Sequence, residues 1–156
     1  PAGSAVPGVL SSSLVAAGTL VAQLTLPANL LAAGSLLELD VMGRVSSTVT
    51  LAWRVRIGTA GTTADPLVIT FTTSGAGAAN AHSRVKAMIA CLTAGAAGAV
   101  VGNGQAQLAS AVVGKATGVV ADTVVNTTVA LKVSVSVIQS VAQTYTTQVG
   151  VLRKIA

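Results

Sequence analysis

From Thr48 to Ile57 apolar residues alternate with polar, charged or small ones. Val49, Leu51, Trp53, Val55 and Ile57 fall on one side, and Thr48, Thr50, Ala52, Arg54 and Arg56 on the other. A period of two is that of a pleated strand, so this stretch predicts a strand with one face on a core. Residues 128–137 repeat the pattern, with Val129, Leu131, Val133, Val135 and Val137 inward and Thr128, Ala130, Lys132, Ser134 and Ser136 outward. Shorter alternations predict further strands at Leu20–Leu26, Leu36–Met42, Leu67–Thr72, 84–91, 98–109 and 145–155. Pro27-Ala28-Asn29, Gly58-Thr59-Ala60-Gly61 and Ser74-Gly75-Ala76-Gly77 supply turn chemistry between them. The alanine-dense stretch 76–99 admits a helix as rival, which Gly75, Gly77, Gly95 and Gly98 disfavour.

Eight or so short strands predict an all-β domain, a jelly-roll-like β-sandwich of antiparallel strands over residues 19–156. Residues 1–18 are Pro, Gly, Ser and Ala with scattered Val and Leu, and read as an N-terminal arm ordered on a neighbouring subunit or as a frayed terminus. Residues 110–126 exceed an ordinary loop and predict a long excursion or an added hairpin. No repeat of 20–50 residues is present, which excludes solenoids and propellers.

Composition agrees with strands and raises a second question. Twenty-five valines and eighteen threonines suit a pleated surface. Aromatic residues are 2% and charged residues 8% of the chain. A folded monomer of this mass exposes about 7,000 Å². Nine Lys and Arg with four Asp and Glu are few to cover it, since soluble surfaces usually devote a quarter or more of their area to charge. The economical reading is an assembly component whose exterior lies against other protein.

The net charge of +5 does not point to nucleic acid. Arg44, Arg54, Arg56, Arg84, Lys86, Lys115, Lys132, Arg153 and Lys154 are dispersed, and only Trp53, Phe71 and Tyr145 could stack on bases. Specific nucleic-acid binding is not expected. The uncharged stretches 1–37 and 87–114 are broken by Gln, Asn, Pro and Gly and lack basic or aromatic anchors, so no membrane segment is expected.

The search for chemistry is brief. Cys91 is alone among apolar neighbours and reads as a buried thiol. His82 is the only histidine, with no Gly-x-Ser-x-Gly elbow to serve, although Asp40, Asp65 or Asp122 could complete a triad on paper. Glu38 and Asp40 share a strand face at about 7 Å, a spacing superficially suited to acid–base work, but read as a wet face opposite Arg54 or Arg56. One His, one Cys and four acids do not fill a zinc site, and no oxygen-rich calcium loop occurs. Gly102-Asn103-Gly104 reads as a hairpin turn, Asn126-Thr127-Thr128 as a formal glycosylation sequon, and Trp53 as a core anchor. The sequence nominates no catalytic, cofactor-binding or metal-ligating residue. An esterase or glycosidase using His82, or Glu38 with Asp40, is the weakest of the functional alternatives.

The run Leu26-Pro27-Ala28-Asn29-Leu30-Leu31-Ala32-Ala33-Gly34-Ser35-Leu36-Leu37, with Thr50-Leu51-Ala52-Trp53-Arg54-Val55-Arg56-Ile57-Gly58 and Asp65-Pro66-Leu67, resembles a pattern of tailed-bacteriophage virion proteins. The likeness spans about residues 20–73 and is of moderate specificity. It implies a structural virion protein, most similar to jelly-roll capsid decoration (cement) proteins. The implied partners are the major capsid protein and further copies of the chain, as a dimer or trimer on the capsid exterior. A trimeric tail-fibre or receptor-binding head is the alternative. Residues 1–18 and 110–126 are the expected contact segments.

Overall fold

In a computed structural model of the chain, residues 3–5, 11–14, 19–72, 76–109, 112–115, 122–139 and 143–156 are described. They form strands β1 (Gly3–Ala5), β2 (Ser11–Leu14), β3 (Thr19–Leu26), β4 (Leu36–Val45), β5 (Leu51–Gly58), β6 (Leu67–Thr72), β7 (His82–Thr93), β8 (Gly98–Leu108), β9 (Val112–Lys115), β10 (Thr123–Val125), β11 (Leu131–Gln139) and β12 (Gln143–Lys154). The described residues contain no helix, so the rival for 76–99 is dismissed.

All pairings are antiparallel, in two sheets. Sheet A has the long strands in the order β12-β4-β7-β8, with β1 and β2 along the free edge of β12 and β9 and β10 along that of β8. Sheet B has the order β3-β11-β5-β6. Strands β5–β6 and β7–β8 are hairpins within a sheet. The connections β3–β4, β4–β5, β6–β7, β10–β11 and β11–β12 pass between sheets, the interleaving of a β-sandwich. Both expected contact segments therefore contribute short strands to the edges of sheet A; apart from Asp122 and Asn126, which flank β10, their remaining residues lie outside the described ones.

The alternation read from the sequence is the packing. Leu51, Trp53, Val55 and Ile57 of β5 and Leu131, Val133, Val135 and Val137 of β11 are all in the core. The fully buried Leu37, Leu39 and Ile89 of sheet A enter the same cluster with Ile69 and Phe71 of sheet B. Boundaries moved where tertiary contacts outweighed the pattern. Val129, expected inward, is 37% exposed in the loop before β11. Thr127 holds that loop by donating its amide to the Gly95 carbonyl at 3.0 Å, which takes residues 126–130 out of the pleat. Thr48–Thr50 likewise precede β5, with Val49 in a single bridge to Gly77.

Gly102-Asn103-Gly104 is no turn: it lies within β8. A Cβ on Gly102 would strike Ile69 and Val68 of the facing sheet, so this glycine permits close approach of the two sheets. Gly43 of β4 has a related role. The Tyr145 ring crosses over it from β12, and its hydroxyl reaches the buried Ser83 hydroxyl of β7 at 2.6 Å. Gly43→Ala would drive a Cβ into that ring, and overpacking of this kind costs about 1–3 kcal/mol. The expected outcome is a lower urea midpoint with an unchanged slope.

Candidate functional site

The described residues offer three surfaces on which chemistry could act. The first is the outer face of sheet A, where β4 and β7 project charged residues side by side. Arg84 forks onto Asp40, its Nε donating to Oδ1 at 2.9 Å and its second nitrogen to Oδ2 at 2.5 Å. Arg153 of β12 donates to Glu38 at 2.5 Å. The register places Glu38 directly beside Arg153, whereas Asp40 stands beside Lys86 and is met diagonally by Arg84, which is opposite Met42 one row along the same face. The expected partners Arg54 and Arg56 are corrected by this arrangement: they lie on sheet B. Glu38 and Asp40 are thus ion-paired, and each keeps a solvated side chain.

The Arg153 guanidinium holds the Glu38 carboxyl below its usual range, against the opposing effect of desolvation. A carboxylate with a lowered folded-state pKa adds stability above its unfolded value and loses it as pH falls through the folded value. The group is on the surface, so the stability involved is small. Arg153→Ala should move the Glu38 titration upward, which side-chain carboxyl NMR reads directly.

His82 opens β7 and is exposed on the same face, in an open cleft of about 490 Å³ with Met42, Asn80, Arg84 and Gln107 among its walls. The hydroxyl of its neighbour Ser83 is engaged by Tyr145, whose own pKa burial pushes up. Among the described residues, no nucleophile, base and orienting acid are brought together here. Cys91 is buried and its thiol donates to the Thr93 carbonyl at 3.3 Å, with burial raising its pKa. Among the described residues, no three His, Cys, Asp or Glu side chains gather as metal ligands. No described helix is long and apolar enough to cross a membrane.

The second surface is the end of the sandwich where β3, β5, β7 and β12 finish and β4, β6, β8 and β11 begin. Antiparallel pairing brings residues 27–35, 59–66, 92–97, 126–130 and 155–156 together there. Pro27, Ala28, Ala32, Ala33, Ala60, Ala64, Pro66, Ala94, Ala96, Ala97 and Ala130 are exposed, as are the larger Leu92, Val129 and Ile155. The only charged side chain in these segments, Asp65, is buried. Its carboxylate accepts the amides of Ala60 and Thr62 at 3.3 and 3.0 Å and that of Gly61.

Hydrogen bonds fix these loops to one another. Asn29 donates its amide to the Thr127 carbonyl, Gly95 donates to the Thr127 hydroxyl, and Gly34 donates to the Cys91 carbonyl. Leu36 and Ile155 tie the chain's last residues to the start of β4. Two lysines at the rim turn their ammonium groups onto loop carbonyls, Lys132 onto Ala60 and Lys154 onto Leu30. The result is a pinned, uncharged end. The sequence reading did not single out this end; the available signal was that nearly every turn here is free of charge.

The third surface is the outer face of sheet B, where Arg54, Arg56 and Lys132 project with Ser134 and Ser136. No protein-family model matches this chain, and neither any curated protein nor any solved structure matches it.

Proposed function

We propose that the protein is a structural component of a phage virion, binding and stabilising the outer surface of the capsid as a dimer or trimer. Its partners in this reading are the major capsid protein and further copies of itself, and its role is adhesive rather than enzymatic. The observation that carries the reading is the pinned, uncharged loop end. Alanines, prolines and a few larger apolar side chains stand exposed there with almost no charge to desolvate. Such a surface loses little on being covered by protein and gains from apolar burial. Its loops are already held by hydrogen bonds, so little ordering entropy opposes docking. Contacts made only in the assembled shell stabilise that state by mass action.

Light scattering on the purified protein, with and without empty phage heads, tests this. A discrete oligomer that adds to the heads at fixed stoichiometry is the expected result. A monomer indifferent to heads would remove the proposal.

A further inference from the structure

We propose that the outer face of sheet B, around Ser134, is a receptor for carboxylates displayed by an acidic protein partner. The inference rests on the assembly reading for the partner being a protein, and on the following geometry for the site. Ser134 pairs directly with Arg56 of β5 on one side and with Gln23 of β3 on the other. One row along, Ser136 pairs with Arg54, which in turn stands beside Thr70 of β6. The two arginines are thus neighbours on one face, about 7 Å apart along the strand.

Three polar atoms of this cluster lack the partners that burial ordinarily demands. Ser134 is fully buried, and its hydroxyl has no hydrogen-bond partner. The Nε of Arg54 and that of Arg56 are buried without a partner as well. Ser134 belongs to the outward set of β11, since Val133 and Val135 enter the core, so its hydroxyl is directed to the same face as the guanidiniums. Arg56 uses one terminal nitrogen on the Asp65 carbonyl at 2.7 Å, which orients the fork. The Asp65 carboxylate is itself occupied by the 60–62 amides. Burial, then the like charge of Arg54, lowers the Arg56 pKa. An incoming carboxylate would offset that repulsion and accept hydrogen bonds from the guanidiniums, and the serine hydroxyl, enclosed in the free protein, would join them only as the cluster opens around the ligand.

Nucleic acid fits this face less well, because Trp53, Phe71 and Tyr145 are all buried and none can stack on a base. A second copy of the chain offers little more: Glu38 and Asp40 are ion-paired, Asp65 is enclosed in its loop, and the exposed Asp122 is a single carboxylate where two adjacent arginines call for an acidic patch. A different protein with an acidic patch is the matching partner.

The test titrates the full chain at low salt with hexaglutamate, inorganic phosphate and a single-stranded oligonucleotide, following the arginine Nε–H signals by NMR. Hexaglutamate is expected to shift Arg54 and Arg56, and Arg54→Gln or Arg56→Gln to weaken binding about tenfold, as for loss of one charged hydrogen bond. Ser134→Ala should weaken binding while leaving the melting temperature unchanged or higher, an outcome that a purely structural serine would not give. Silence of both arginines toward hexaglutamate, or binding as tight as wild type when Arg54→Gln and Arg56→Gln are combined, would overturn the site. Tighter binding of phosphate or of the oligonucleotide would overturn the assignment to protein carboxylates. Head binding by light scattering separates the two proposals: if hexaglutamate binds while heads do not, the site stands and the capsid reading fails.

Discussion

Trp53→Ala is expected to destabilise the fold by about 3–5 kcal/mol, the usual cost of truncating a large buried aromatic. Trp53 is wholly buried in β5, between Phe71 of β6 and Val137 of β11 in the pairing register. Its removal leaves a cavity that neighbours fixed in a strand ladder fill only partly, so the transfer and cavity costs add. Domains of this size are commonly stable by about 5–15 kcal/mol, so the variant loses a large share of the total. The melting temperature should fall by roughly 10 °C, read by far-ultraviolet circular dichroism because the substitution removes the chain's one tryptophan. Trp53→Phe keeps most of the volume and should cost markedly less. Equal melting temperatures for wild type and Trp53→Ala would mean that the sandwich interior is not packed as described.

The second large effect is functional. Ala33→Glu, Ala97→Lys and Val129→Asp each place a charge on the loop end, at positions that are exposed in the single chain. Surface substitutions of this kind usually change stability by only about ±0.5 kcal/mol, so the melting temperature should stay put. Covering such a charge with an apolar partner leaves it desolvated and unpaired, a penalty of several kcal/mol. On the proposed capsid role, affinity for phage heads should therefore drop by at least about a hundredfold. Gln107→Lys, on the outer face of sheet A, is the matched control and should bind as wild type does. Full occupancy by all three loop-end variants would place the contact elsewhere on the molecule.

The strands were legible because alternation is a local property of the pleat. Leu51 to Ile57 and Leu131 to Val137 need no knowledge of their neighbours to declare a buried face. The same locality explains the errors. Val129 continues the alternation of β11, but the Thr127–Gly95 contacts hold it in a loop. Gly102 and Gly104 look like turn residues until β6 is seen lying against Gly102. The partners of Glu38 and Asp40 could not be read either, because they depend on which strands flank β4. Arg153 arrives from β12, far along the chain, and sequence spacing carries no trace of that adjacency.

By itself, then, the sequence determined an all-β chain, the inward face of its strongest strands, a core tryptophan, a buried thiol and a surface short of charge. Those features follow from residue type and a period of two, which act over a few residues. Only the tertiary structure decided the strand order, the ion pairs of sheet A, the arginine–serine cluster of sheet B and the gathering of uncharged turns at one end. Each of these joins residues distant in sequence, and the antiparallel crossovers that bring them together are set by packing between sheets rather than by any local preference.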